Sequence, residues 1–468
     1  MQRFDNHQFS RRGFLERAGA VAGIGALAGI HPTTLSASQP LPNRPRVAAI
    51  YTVLRHQSHA YNILRAFLGP YYFNGVMTDP GCDVVSFYAD QFPEGDMTPA
   101  VSRKFGIPVY PTIDKALCRG GKDLAVDAVL LIGEHGDYPN TERGQKMYPR
   151  KKFFDEIVAV MRRSQRFAPI FNDKHLSYRW DWAKEMYDVA KQHGIPFMAG
   201  SSVPLGERRP PLELPPEAEI EDAVSIHGGG LEAYDFHGLE VLQSFVEARK
   251  GGESGVSKVE LLQGEALQRA AQQGRWSREL ADAAMQAERD MHAPRQLRRN
   301  VVPKPGERIP VPDGPTKPRH GILLTYKDGF RATMLTVGGT GSRWNFACRL
   351  KGEDKPRATA FFNGPWGNRN LFRALSHSIQ YLFKTHKEPY PVERTLLVTG
   401  MLDAVMRSHE QGGTVIATPE LEFPYQPIDF RKQREMGASW KKITIHTRQP
   451  EDFEPLDADL KPLHLTGE

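Results

Sequence analysis

The sequence predicts an α/β protein: an N-terminal, Rossmann-like doubly wound parallel sheet with a second α/β region behind it. Short apolar runs alternate with stretches of helical period as far as about residue 200, the pattern of parallel strands joined by crossover helices. A proline-rich passage, Arg208-Arg209-Pro210-Pro211 through Pro215-Pro216, then breaks the texture and predicts irregular chain. The 468 residues exceed one compact core and fit two or three domains, while 40% hydrophobic and 25% charged residues exclude wholesale disorder.

Taken in order, residues 46–50 read as a short buried strand and 60–67 as the helix after it. Apolar runs at 84–88, 107–109 and 128–132 predict three more strands. Phe153, Phe154, Ile157, Val158 and Met161 recur at helical spacing, and 168–171 is apolar again. Trp180, Ala183, Tyr187 and Ala190 mark a helix that Gly194 can end before a strand over 196–199. Beyond the prolines come a helix over 239–249 and a strand over 257–262. Residues 294–319 form a proline- and base-rich strap that reads as a solvated connector. Strand alternation over 321–347 turns at Lys327-Asp328-Gly329, and two helices follow, over 371–383 and 394–409.

The charge balance, 61 basic against 55 acidic residues for a net +6, is concentrated partly at the start. Arg3, Arg11, Arg12 and Arg17 precede an uncharged apolar stretch over 18–30, which as a helix spans roughly 20 Å against a hydrocarbon core of about 30 Å. That is a signal peptide rather than a spanning helix. Ser10-Arg11-Arg12-Gly13-Phe14-Leu15 resembles the twin-arginine export motif, with a cleavage zone at Ser36, Ala37 and Ser38. The expectation is a periplasmic or otherwise exported protein, its signal spanning residues 1–38, with no stable membrane insertion after cleavage. Acids interspersed among the bases argue against a nucleic-acid partner. Cys82, Cys118 and Cys348 allow at most one disulfide and no four-thiolate zinc site.

Five places carry a family likeness: the opening strand, Asp127-Ala128-Val129-Leu130-Leu131-Ile132-Gly133, Asn172-Asp173-Lys174-His175-Leu176, the region of His237, and the order of helix, Glu388-Pro389-Tyr390-Pro391-Val392, helix and Gly412-Gly413. Together they resemble the Gfo/Idh/MocA family of sugar and inositol oxidoreductases over residues 45–425. The resemblance implies a Rossmann domain over 45–200 and a substrate domain over 201–430, whose open, mostly antiparallel sheet covers the active site; 431–468 is an extension. It implies an oxidoreductase acting on a sugar, polyol or related carbohydrate, with tightly bound NAD or NADP, assembled as a homodimer or homotetramer.

One part of the pattern is missing. Rossmann sites place Gly-x-Gly-x-x-Gly after the first strand so that backbone amides approach a pyrophosphate. Here Tyr51, Val53 and His56 stand where glycines belong, and each carries a Cβ. Thr52, Arg55 and His56 offer side chains to the phosphates instead, Asp90 follows the second strand where an acid binds ribose, and Gly133, Glu134, His135 and Asp173 line the next strand ends. The spacing from His56 to Asp90 is 34 residues, stretched by an insertion near 71–82. Two readings stay open: a divergent dinucleotide site, or a cofactor-free carbohydrate-binding, lyase or hydrolase protein on the same scaffold.

Oxidising a sugar alcohol needs a base for the hydroxyl proton and a cation or donor for the oxygen. The resemblance assigns the first role to Lys174, at the lysine position of a Glu-Lys-Pro motif whose flanks are here Asp173 and His175. It assigns a second role to His237, at a helix start behind Gly228-Gly229-Gly230. The position four before it is Ala233 rather than the family's Asp, so Asp235 or Glu240 is expected to orient the ring. His175, Tyr234 and Trp366 are assigned to the substrate. Trp182 and Trp344 can also stack on sugar faces, whereas Trp180 fits a helix core. His56, His59, His135, His175 and His227 form no recognised ligand motif, and no metal is expected.

Overall fold

The computed structural model describes residues 44–296, 315–366, 368–444, 447 and 453. The signal segment, most of the strap and the end of the extension lie outside the described residues.

The chain runs β1 (Arg46–Tyr51), α1 (His59–Arg65), β2 (Tyr71–Phe73), β3 (Val76–Thr78), β4 (Asp83–Ala89), α2 (Thr98–Phe105), α3 (Ile113–Cys118), β5 (Ala128–Ile132), α4 (Arg150–Arg163), β6 (Ile170–Asp173), α5 (Trp180–Gln192) and β7 (Phe197–Gly200). It continues through β8 (Glu207–Arg209), β9 (Ile220–His227), α6 (Asp235–Val246), β10 (Val256–Gln263), α7 (Gly264–Gln272), α8 (Arg278–Gln296), β11 (His320–Tyr326), β12 (Arg331–Thr336), β13 (Trp344–Leu350), β14 (Arg357–Phe362), α9 (Asn368–Thr385), α10 (Val392–Glu410) and β15 (Ile416–Ala417).

The first sheet has the order β4-β1-β5-β6-β7, every pairing parallel. Its middle strand, Ala-Val-Leu-Leu-Ile, is buried at all five positions, as a strand covered by helices on both faces must be. One face packs on α1 and α9, through Ile63, Leu64, Leu375 and Ile379; the other packs on α3, α4 and α5. The predicted strands at 46–50, 84–88, 128–132, 168–171 and 196–199 are all present within a residue or two. The run at 107–109 contributes only a bridge from Val109 to Phe87. The insertion at 71–82 is a two-stranded hairpin.

The second sheet has eight strands, ordered β15-β10-β11-β12-β9-β13-β14-β8, and only the β9–β12 pairing is parallel. α6 and α10 cover one face and α7 and α8 the other. This is the open, mostly antiparallel sheet that the resemblance implied. The proline-rich passage is not irregular throughout: Glu207–Arg209 pairs with β14 as an edge strand, where the prolines that follow remove no ladder bond. Residue 200 separates the sheets but not the packing, because α9, Phe430 and Phe453 belong to the core of the first sheet. Among the described residues no helix is long and apolar enough to cross a membrane.

Candidate active site

The loops leaving β1, β4, β5, β6 and β7 meet at the carboxyl edge of the first sheet, where open parallel sheets bind ligands. Lys174 follows β6 directly, with a φ of 64° in the left-handed region. His135 (φ 69°) and Glu232 (φ 66°), both part of the same site, share this conformation. Each costs about 1–3 kcal/mol for a residue with a Cβ, a cost that clusters at functional sites.

The centre is a buried ion-pair network. Lys174 Nζ lies 2.9 Å from Glu134 Oε1, and Arg150 donates to Glu134 Oε2. Burial pushes the Glu134 carboxyl up, but the Lys174 and Arg150 cations outweigh it and hold the group well below the ordinary carboxylate range. Glu134 is therefore ionised at any working pH. Arg150 reaches this point from the start of α4, passing over Gly133, where a Cβ would stand 2.8 Å from Arg150 Cγ. A side chain at 133 would therefore meet the stem of Arg150. Lys174 also points at the Ala233 carbonyl, 3.4 Å away, so it faces the loop that leads into α6.

Three histidines surround the lysine. His59 Nδ1 lies 2.6 Å from Asp173 Oδ2, and its ring is edge-on to His135, with centroids 5.2 Å apart. Burial, with His59 beside it, lowers His135 to about 4 and keeps it neutral; its buried Nε2 has no hydrogen-bond partner within the protein. His237 is buried, and burial together with Lys174 and His59 holds it far below the ordinary histidine value. Its ring stands against Trp344, 5.4 Å between centroids, while Tyr234 stacks on Trp344 at 5.8 Å and 7°. Lys174, Glu134, His135, His237, Tyr234 and Trp344 thus form one polar and aromatic centre.

Several expected roles are reassigned by these contacts. Neither Asp235 nor Glu240 orients His237; Ser201 Oγ does, 2.6 Å from Nδ1. Asp235 Oδ1 instead receives His227 Nε2 and His320 Nε2, both at 2.7 Å, and Thr336 Oγ1 touches both nitrogens. These three ligand-type atoms lie within 4.8 Å of one another, a grouping that no sequence motif announced. The Gly229 N–H donates to His227 Nδ1, which leaves that ring's proton on Nε2 facing the carboxylate. Asp235 and Thr336 thus tie the two rings together by hydrogen bonds. Glu240 accepts from Thr395 and sits under Gly200; burial raises its carboxyl to about 7. His175 lies behind the centre, against Arg150, Ser177 O and Glu232, and so supports the network rather than facing the Tyr234–Trp344 stack. Trp366 is buried, donating to Thr447 O under the Arg373 guanidinium, and is a packing residue.

At the other end of the edge, Thr52 and Asp90, two of the residues expected to hold phosphates and ribose, are engaged with neighbouring protein groups. Val53 and Leu54 are fully buried. Asp96 accepts the Leu54 N–H through Oδ2 (2.8 Å) and the Thr98 N–H through Oδ1 (2.9 Å). Thr52 donates its hydroxyl to Glu134 O. Ser58 caps α1 and accepts the Arg55 N–H. Asp90 accepts from Tyr88 and Tyr138, and Gln91 exchanges two hydrogen bonds with the Asp137 backbone. The side chains of Arg55 and His56 lie on the exposed surface of the loop. Ser201, Arg150 and Asp96 are the contributors that sequence reasoning did not assign to the site, whereas Trp344 was among the rings expected to stack on sugar faces.

Together the parallel sheet and the open, mostly antiparallel sheet beside it define a two-sheet α/β fold. No protein-family model matches the chain, and no curated protein matches its sequence. GenD2 from gentamicin A biosynthesis, solved in complex with NAD, shares the fold at a TM-score of 0.50 and 12% identity, over 83% of this chain and 99% of GenD2. A myo-inositol dehydrogenase from Corynebacterium glutamicum ATCC 13032 aligns at a TM-score of 0.46 and 10% identity, over 80% of this chain and 98% of its own. An oxidoreductase from Agrobacterium radiobacter, in complex with NAD+, L-tartaric acid and magnesium, aligns at 0.46 and 12%, over 80% and 98%. The likeness to GenD2 bears out the predicted fold.

Proposed function

We propose that the chain is an oxidoreductase of the Gfo/Idh/MocA type that works on a hydroxyl of a sugar or polyol, with a nicotinamide nucleotide as the hydride carrier. The observation that carries this reading is Lys174, fixed in a strained conformation at the end of β6 beside ionised Glu134, on the fold that GenD2 uses with NAD. Lys174 takes the hydroxyl proton as the neutral amine in oxidation and returns it as the ammonium in reduction, Glu134 and Arg150 fix its position, and neutral His237, set by Ser201, is available as a second donor or acceptor at the substrate oxygen. The Tyr234–Trp344 stack supplies an apolar wall of the kind sugar rings lie on.

The residues fit a nicotinamide at this end, where the buried, unpartnered His135 Nε2 needs a hydrogen-bonding group. They do not form the usual cradle at the phosphate end, because the Leu54 and Thr98 amides already serve Asp96 and the Asp90–Tyr138 and Gln91–Asp137 bonds close the groove. A dinucleotide lies there only with residues 90–97 and 136–138 parted, which favours uptake during folding and tight retention afterwards. The leader supports the same sequence of events: the twin-arginine route exports folded proteins, so the cofactor is acquired in the cytoplasm and the protein works in the periplasm. The filled groove also favours a second reading, an acid–base enzyme or binding protein for carbohydrate with no nucleotide. Mass spectrometry of small molecules released from cytoplasmically folded protein separates the two: a nicotinamide nucleotide supports the first, and none, with none taken up at millimolar concentration, supports the second.

A further inference from the structure

A groove of about 470 Å³ runs between the start of α4 and the start of α5, outside the Lys174 centre. Its walls are Tyr148, Tyr178 and Trp182, with two ion pairs along the floor and rim, Lys151 to Asp155 (2.6 Å) and Lys152 to Glu156 (3.1 Å). The rings are set in place: Tyr178 meets Trp182 edge-on at 5.3 Å, Arg179 stacks on Trp182 at 4.6 Å, and Tyr148 stands against Tyr138 at 5.7 Å. Trp182 and Tyr148 remain half-buried rather than covered.

Two features indicate what such a groove takes. The cations at the groove are all paired, Lys151 with Asp155 and Glu185, Lys152 with Glu156 and Arg179 with Asp181, which favours a neutral ligand over an anion or a cation. Flat aromatic surface beside several hydrogen-bonding groups matches a sugar ring, whose faces are apolar and whose edges carry hydroxyls. The groove also shares a wall with the reacting centre. Tyr148-Pro149-Arg150 is one turn: Tyr148 and Pro149 line the groove, and Arg150 passes inward to Glu134.

We infer that this groove binds a carbohydrate ring, and that the substrate is a glycoside or oligosaccharide with one unit beside Lys174 and another on the Tyr148–Trp182 shelf. The inference rests on the reading of the Lys174 centre as carbohydrate-directed. It is tested by calorimetric titration of the full folded chain with glucose, galactose, mannose and xylose, each against its β-1,4-linked tri- and tetrasaccharide, with maltotetraose as an α-linked member. At least one oligosaccharide is expected to bind about tenfold or more tighter than its monosaccharide. Trp182→Ala should abolish that advantage and leave monosaccharide affinity within about twofold, while Trp182→Phe, which keeps a ring, restores much of it. Equal affinity for short and long sugars, no oligosaccharide binding up to about 10 mM, or an advantage that survives Trp182→Ala in folded protein overturns the inference. Those outcomes leave the Lys174 chemistry standing if Lys174-dependent turnover of a monosaccharide persists. Conversely, a Trp182-dependent advantage without nucleotide or turnover keeps the groove and removes the redox reading.

Discussion

The two ends of the first sheet's carboxyl edge have been handled in opposite ways. Around Lys174, charged and strained residues are kept in a buried centre at considerable cost: a lysine and an arginine share one carboxylate, and three side-chain-bearing residues sit at positive φ. Around Val53 and Leu54, the amides that a pyrophosphate would use are given to Asp96, and the flanking loops are stitched by Tyr138 and Gln91. In this chain the Lys174 end is left charged and strained while the opposite loop is filled by the protein's own groups. An unpartnered amide is stabilised by any nearby oxygen, so a single aspartate can replace a ligand's phosphate. A catalytic lysine has no such substitute.

The largest effect is expected where that contrast is greatest. Lys174→Ala should lower turnover by about 10²- to 10⁴-fold, the usual range for a general acid–base group, with the far-UV circular dichroism unchanged; an undiminished rate removes Lys174 from the mechanism. Glu134→Ala strands two buried cations and should cost about 3–5 kcal/mol in denaturant unfolding. A loss below about 1 kcal/mol would mean that Lys174 and Arg150 find water or other partners.

Glu240 supplies a pH test of the same buried layer. Its folded value of about 7 lies above the ordinary 4.5, so the folded state holds a proton that the unfolded chain releases first. Stability attributable to this group is therefore unaffected below pH 4.5 and is lost progressively as pH rises to about 7, staying lost above it. Glu240→Gln should gain up to about 3 kcal/mol above pH 7 and little at pH 4.5; an equal effect at both would show that the carboxyl is not held protonated. At the opposite end, Asp96→Ala should cost only about 1–2 kcal/mol, the loss of a carboxylate that accepts two backbone N–H groups, while strengthening nucleotide uptake by freeing the Leu54 and Thr98 amides. Weaker uptake in that variant would reverse the comparison drawn here.

Much of this was legible in the sequence, and the parts that were not share a reason. The five strands of the first sheet announce themselves because burial on both faces demands unbroken aliphatic runs such as Ala128–Ile132. The absent glycines at 51, 53 and 56 also foretold a blocked loop, and Val53 is indeed buried there. What filled the loop was not readable, since Asp96 is an ordinary loop acid until the chain folds back 42 residues to Leu54. Ser201 for His237 and Arg150 for Glu134 were missed likewise, because such partners are fixed by where strand ends meet and not by spacing. α8 went unpredicted because its buried face is made of Leu280, Ala281, Ala284 and Met285, a weak apolar signal in a stretch rich in Glu and Arg. Asp235 looked like a partner for His237, two residues away, but on a helix side chains two apart point to different faces, and it turns to His227 and His320.

The central claim, that the lysine end still works with a nicotinamide although the usual cradle is gone, is tested most directly by intact-complex mass spectrometry of protein folded in the cytoplasm. The account predicts one nicotinamide nucleotide retained per chain and released only on unfolding. A chain that carries none, and takes up none when refolded in its presence, would contradict it.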